Sequence, residues 1–304
     1  MNLSNPLGSP LQDPMGIGIA SGSALTPTVI DVINLGTGYL SQTFKGPTRY
    51  SKYRVTVVGP GGAGFSGDVG GGGGGGGAAS TDVMSTNGIL DLSLTIAPAT
   101  VLGGTGQSTG CVIAGFGNLI GGPGQNGAVY GTTYYAAPGG TASGGVRNFP
   151  GGNGGMMAGP TNTPFAGSGG GGAAGTFGTG GNGGNVIDRS TAQPGFNGSG
   201  DGGGGGGASA AQTGGGGGGG IGSNGSPGDY PAGTGVTLID AAAAFDEVFV
   251  SMGLKSTSGF TRAGPTWGGR GGIGGGGGGG PGYNAGPGAG GTGGCGLVRI
   301  ELWP

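Results

Sequence analysis

Uninterrupted glycine breaks the chain again and again: residues 70–77, 202–207, 214–220 and 274–280 contain nothing else. Neither an α-helix nor an ordinary strand can be built from such a run, because Gly costs backbone entropy and supplies no side chain to pack. Two states are left. The runs are disordered, or they pack backbone against backbone.

Glycine-rich segments often serve as flexible linkers. Linkers tend to alternate Gly with Ser and to join well-marked domains, whereas these runs are nearly pure and spread over most of the chain. Between them lie apolar and aromatic insertions such as Val129-Tyr130, Tyr134-Tyr135, Met156-Met157 and Phe245. Disordered chains are poor in such residues and high in net charge. Here 10 basic and 12 acidic residues almost cancel. Composition alone keeps both states open.

The ordered state is a bundle of polyproline-II-type helices made of Gly. Such a helix has about three residues per turn and rises about 3.1 Å per residue, so residues 70–77 would span about 25 Å. It makes no internal hydrogen bond, so every N–H and C=O needs a partner in another segment. Neighbouring backbones meet that need only where no Cβ stands between them. The four pure runs therefore belong at the centre of a bundle. Segments that mix Gly with small residues, such as Gly167-Ser168-Gly169, Gly178-Thr179-Gly180 and Gly286-Pro287-Gly288, suit its outside. Collagen is excluded, since there is no triplet period and Pro is too scarce.

A chain of 304 residues allows one to three domains. Much of its apolar third is Ala, so the side-chain core is small. The balanced, slightly acidic charge and the lack of a basic stripe argue against nucleic-acid binding. The start, Met1-Asn2-Leu3-Ser4-Asn5-Pro6, has no basic residue and no long apolar run, so no signal peptide is expected. No stretch approaches the length of a membrane span. Cys111 and Cys295 stand alone, and without an export signal they read as reduced thiols.

Residues 1–48 are poor in Gly runs and hold Pro6, Pro10, Pro14 and Pro27. They read as an attachment arm that orders on a partner, with a short strand at Thr28–Ile33; the remainder, 49–304, forms the second unit. Tyr50–Val58 is the best strand, ended by Gly59-Pro60. Leu90–Ile96 alternates as a half-buried strand does. Gly296–Leu302 supplies a strand after the last glycines. Strands thus bracket the glycine-rich part, and pairing them would close a small sheet at the base of the bundle. The fold class expected is mostly irregular and all-β: polyglycine-II helices closed by that sheet. Asp240–Met252 reads as a short helix, capped by Asp240 and ended by Gly253.

Gly59-Pro60-Gly61-Gly62-Ala63-Gly64 fits G-x-G-x-x-G after a strand, with Asp82 about twenty residues on. The dinucleotide mechanism needs a helix N-terminus at the pyrophosphate. Phe65 to Val69 run straight into eight glycines, so that helix cannot form. No cofactor is expected. There is no P-loop, and Gly200-Asp201-Gly202 is an isolated echo of the calcium-binding nonapeptide repeat. The chain has no His, which removes the commonest general base and metal ligand. Two distant Cys cannot build a zinc site. No Ser-x-x-Lys offers a base for a nucleophilic Ser. Neither catalysis nor a metal is expected.

The insertions remain: 128–150, 156–166, 186–197 and 229–267. They concentrate Tyr130, Tyr134, Tyr135, Phe149, Met156, Met157, Phe165, Phe196, Tyr230 and Trp267. A glycine bundle offers these side chains no core, so they either cap its end by packing on one another or face a ligand. Aromatic and Met side chains on rigidly held loops are typical of binding surfaces.

The run Tyr53-Arg54-Val55-Thr56-Val57-Val58-Gly59-Pro60-Gly61-Gly62-Ala63-Gly64, the glycines 70–77 and the closing Gly290-Gly291-Thr292-Gly293-Gly294-Cys295-Gly296-Leu297-Val298-Arg299-Ile300-Glu301 together resemble a known family. It is that of the glycine-rich receptor-binding adhesins at the tip of bacteriophage tail fibres, with the wider glycine-rich phage tail domain. The resemblance covers about residues 50–302. It implies a layered bundle of polyglycine-II helices whose intervening loops bind a host outer-surface protein or glycan. It also implies an N-terminal region that attaches to a tail-fibre or other virion protein, and a place in the virion after synthesis in the host cytoplasm. Residues 1–48 match no attachment domain of that family. A non-adhesin virion protein, such as a baseplate or capsid decoration, is the alternative. An ice-binding protein is a third reading, which the bulky insertions oppose.

Overall fold

The structure, a computed structural model, describes residues 27–65, 69–86, 90–101, 103–130, 133–156, 166–187, 191–208, 214–223, 268–280, 282–283, 286–287 and 290–304. Among them the regular structure is all-β. In chain order the strands are β1 (Thr28–Ile33), β2 (Leu40–Lys45), β3 (Lys52–Val58), β4 (Val69–Gly70), β5 (Ala78–Ser80), β6 (Met84–Ser85), β7 (Asp91–Ile96), β8 (Thr109–Ile113), β9 (Gly117–Gly121), β10 (Ala128–Tyr130), β11 (Thr133–Tyr135), β12 (Ala142–Ser143), β13 (Arg147–Phe149), β14 (Ala166–Gly167), β15 (Gly282–Tyr283), β16 (Gly286–Pro287) and β17 (Leu297–Trp303).

Two antiparallel sheets carry the side-chain core. The first runs β1-β17-β3-β5-β13, with β6 also on β3; the second runs β12-β9-β8-β7-β2. The expected pairing of the bracketing strands is present: Leu297 stands opposite Val58 and Leu302 opposite Tyr53. The strand 91–96 lies in the second, facing sheet. Alternation explains the sandwich. Tyr53, Val55, Val57, Val298, Ile300 and Leu302 point inward from one sheet, and Leu92, Leu94, Ile96, Cys111, Ile113 and Leu119 from the other.

The arm expected over residues 1–48 is corrected for its second half. Thr28–Ile33 and Leu40–Lys45 are edge strands of the two sheets, pairing β17 and β7. Ile30, Val32, Leu40 and Phe44 add to the core from them, which gives the segment the apolar contact that it cannot make alone. Residues 1–26, like the helix expected at 240–252, lie outside the described residues.

The first sheet is buried on its other face as well. There Val58 and Leu297 meet Ala173, Ala174, Ile221 and Ile273 from the ends of glycine-rich segments. Two buried ion pairs lie on the same face. Arg54 grips Glu301 through Nε at 2.5 Å and Nη2 at 2.6 Å. Arg299 grips Asp31 through Nε at 2.9 Å and Nη2 at 3.0 Å. The face is fastened to the turn at Thr176 by a hydroxyl pair, Thr56 Oγ1 to Thr176 Oγ1 at 2.9 Å. Asp201 holds that turn by accepting from the amides of Thr176 at 2.9 Å and Phe177 at 2.6 Å.

Most of the glycine is outside the strands and almost wholly buried. Its amides pair between segments with a repeat of three. Gly72 and Gly75 donate to Gly155 and Gly152, Gly73 and Gly76 to Gly277 and Gly274, and Gly74 and Gly77 to Gln125 and Gly122. The carbonyls of the same run accept from three more directions: Gly71, Gly74 and Gly77 from Phe65, Gly62 and Gly59; Gly73 and Gly76 from Gly171 and Ala174; and Gly75 from Gly140. Residues 71–77 are thus ringed by six segments. Residues 168–174 and 274–280 are ringed in the same way, each bonding the other and four further segments besides 71–77.

The expected centre is corrected in part. The run 214–220 bonds to four segments among the described residues, whereas Gly167-Ser168-Gly169, expected on the outside, leads into 168–174, which is central. Purity of glycine did not mark the centre because Ala is allowed where a Cβ faces the sheet, as at Ala173 and Ala174. Around the perimeter Asn replaces a missing carbonyl: Gly139, Asn153 and Met156 donate to the Oδ1 atoms of Asn153, Asn182 and Asn185 at 2.9, 2.8 and 2.8 Å. One reversal needs a left-handed residue, Gly274, at φ 72°.

A Cβ at Gly171 would land on the carbonyl of Gly152, while one at Gly38 meets nothing within 4 Å. Gly171→Val should therefore cost about 2 kcal/mol or more, since parting the backbones strands buried amides at about 1–3 kcal/mol each. Gly38→Ala should leave thermal unfolding within about 0.5 kcal/mol of the parent. Equal melting of the two variants would contradict the packing described.

Candidate functional site

The molecule has two ends. At the base of the sandwich lie Thr28 opposite Leu302, Trp303 opposite Lys52, and Lys45 opposite Asp91. The glycine segments leave from the other end of the sandwich, where Val58 leads into Gly59 and Gly296 leads into Leu297. They run out to a far end fixed by a second set of bonds: Phe65 donates to Gly71, Gly127 to Ala63, Gly155 to Gly169, Gly215 to Gly279, and Gly280 to Phe65.

Three insertions start from this far end. The hairpin of β10 and β11 pairs Val129 with Tyr134 and Tyr130 with Thr133. Its backbone thus places Tyr130, Tyr134 and Tyr135 there. The chain returns from it at Ala137, whose carbonyl accepts from Gly154 at 2.8 Å. Two residues on, Met156 is exposed, and its amide donates to Asn185 Oδ1 at 2.8 Å. Its carbonyl accepts from Val186 at 2.9 Å, which brings Ile187, 39% exposed, beside it. The described residues flanking 66–68, 157–165, 209–213 and 281 are at this end too. Sequence reasoning missed Ile187. Its signal was the spacing of Asn182 and Asn185, three apart on one face, which pins the start of that loop.

The other candidates divide. Phe149 is corrected: it lies in β13 of the first sheet, pairs with Ala78 and packs on the cluster around Val58 and Leu297. Phe196 is half exposed, but on the flank of the glycine body, where its amide donates to Asn182 at 2.8 Å. Met157, Phe165, Tyr230 and Trp267 lie outside the described residues.

The titratable groups of the body serve structure. Burial works against the charge on Arg299, yet Asp31, Glu301 and Asp201 together hold its pKa above the ordinary value. Burial pushes the Cys111 thiol up to about 12 and the Cys295 thiol up to about 11. Neither is a thiolate near neutral pH, so neither is a nucleophile there. Among the described residues no three His, Cys, Asp or Glu side chains gather as a metal site would need. No helix among them is long and apolar enough to cross a membrane.

Compared with known proteins, the chain matches no family model and shows no significant similarity to a curated protein.

Two outcomes follow. Met156→Ala and Ile187→Ala should leave melting unchanged, while Phe149→Ala should cost about 2 kcal/mol, less than a fully buried Phe; calorimetry of the three variants checks this. The thiols should resist iodoacetamide at pH 8 in the native protein and react in denaturant. Because their folded pKa values lie above the unfolded 9.0, their contribution to stability is complete below pH 9 and is lost as pH rises through 11 to 12.

Proposed function

We propose that the glycine-rich segments are polyglycine-II helices and that the protein is a bacteriophage tail-fibre or tail-tip adhesin, binding a host outer-surface protein or glycan through the insertions at its far end. The helix assignment rests on the donor pattern. Amides at i and i+3 bond the same neighbour, while i+1 and i+2 bond two others. A helix of about three residues per turn without internal hydrogen bonds has this property.

The observation that carries the functional reading is the separation of ends. Residue 27 and Pro304 both lie at the base, while the Tyr130–Tyr135 hairpin, Met156 and Ile187 lie at the opposite end. A mounting point at one end, and at the other a hairpin that carries three Tyr beside the exposed Met156 and Ile187, suit a tip protein. The glycine body fits such a role: its amides are consumed internally, so it is rigid and presents little chemistry of its own. Contact must come from side chains at the turns, where Tyr gives large area for little lost entropy. No catalytic step, cofactor or nucleic acid enters this reading.

Purified protein added to host cells before phage should block adsorption in proportion to its concentration. Tyr134→Ala combined with Met156→Ala should weaken that block by about thirtyfold, corresponding to about 2 kcal/mol at an anchor, with melting unchanged. A folded protein that never competes with phage for cells would sink the adhesin reading and favour a baseplate or capsid decoration.

A further inference from the structure

The backbone of the glycine body is spent internally, but one flank carries side chains in ranks. The segments 150–156, 179–185 and 193–199 lie side by side over a lower layer. There 150–156 bonds 71–77 and 168–174, 179–185 bonds 168–174 and 202–207, and 193–199 bonds 202–207. Every third residue of these outer segments faces away from the body, and those residues align across the flank. Thr179 stands beside Ser199, hydroxyl to hydroxyl at 2.9 Å. The Asn182 carbonyl accepts from the Phe196 amide at 2.8 Å. Asn185 Nδ2 donates to Gln193 Oε1 at 3.0 Å. On the other side, the amides of Asn153 and Met156 donate to Oδ1 of Asn182 and Asn185, each at 2.8 Å. A rise of about 3.1 Å per residue sets the ranks about 9 Å apart, so three of them span about 19 Å.

The chemistry of this grid is narrow. It holds no charged side chain. The carbonyls of Asn153, Met156, Thr179, Asn182 and Asn185 accept from Gly183, Val186, Ser199, Phe196 and Gln193, so no strand can add by backbone pairing. What faces outward is amide, hydroxyl and one aromatic ring. Asn153 and Asn182 are exposed, and the oxygen of each takes a backbone N–H, from Gly139 at 2.9 Å and Asn153 at 2.8 Å. That donor fixes the orientation of each amide and turns its NH2 to the outside. An Asp would accept the same N–H; Asn adds the outward donor. Phe196, 50% exposed, stands in rank with both.

The geometry points to a binding site for an uncharged oligosaccharide on this flank. One sugar ring lays its C–H face on Phe196, and hydroxyl oxygens accept from the Nδ2 atoms of Asn182 and Asn153. The donors are held in place before the ligand arrives, so binding orders few side chains. A ligand with net charge finds no counter-charge here, and the length of the grid suits a chain of several rings. The site is apart from the far-end insertions and does not rest on the adhesin reading.

The full-length protein applied to a printed array of neutral and acidic oligosaccharides should retain neutral ones. For the neutral chain held best, calorimetry should show binding weakened at least about tenfold in Phe196→Ala and in Asn182→Asp, and unchanged in Tyr134→Ala. Asn182→Asp keeps an oxygen for the Asn153 amide, and Phe196→Ala keeps the backbone bond to Asn182, so both should melt with the parent. No phage or host cell enters the assay, which separates its outcome from that of the far-end reading. Retention of acidic chains only or of none, binding that both flank substitutions leave unchanged, or binding that Tyr134→Ala abolishes would each overturn the assignment.

Discussion

Everything in the glycine-rich body follows from one steric condition: two backbones exchange hydrogen bonds at close range only if no Cβ stands between them. A segment with no internal hydrogen bonds must send each amide to a neighbour, and a buried amide left without one costs about 1–3 kcal/mol. Residues 71–77, 168–174 and 274–280 meet the condition in three dimensions, each bonding to six segments. They also bond to one another, Gly73 with Gly277 and Gly171, and Gly276 with Gly171. These three runs do for the body what a packed side-chain core does for an ordinary domain.

Such a body cannot close itself, and the sandwich does that. Its two central strands, β3 and β17, flank the whole excursion from Gly59 to Gly296 and pair residue for residue. Their inward face holds the aliphatic core, and their outward face grips the glycine segments through Ala173, Ala174 and the hydroxyl pair of Thr56 and Thr176. Each of the two buried Arg–carboxylate pairs joins β17 to a different neighbour, β3 or β1. Removing one member would leave a buried charge unpaired, which costs about 3–5 kcal/mol. These pairs secure the chain's last strand, on which closure depends.

The strands were legible because alternation at Leu92, Leu94 and Ile96, and at Val298, Ile300 and Leu302, needs no partner to be recognised. The second sheet was less so. β8 and β9 carry Gly110, Gly117 and Gly121, which in this composition look like more of the glycine region. The central place of 168–174 was hidden for a related reason: Ser168 fills a position where its hydroxyl takes the Gly72 amide at 2.8 Å and bonds Gly155 O at 2.8 Å. Among the candidate site residues, the hairpin tyrosines lie in β10 and β11, and Met156 is exposed at the same end. Chain position could not tell that Phe149 lies in β13, paired with β5 of the first sheet, because that depends on which end each turn occupies.

Residue-resolved amide hydrogen exchange tests the central claim most directly. If the glycine runs are held by bonds between segments, the amides of residues 72–77, 170–174 and 276–279 should exchange as slowly as those of β3 and β17 and open only with global unfolding. Exchange of those glycine amides near unfolded-chain rates, with the strands still protected, would contradict the account.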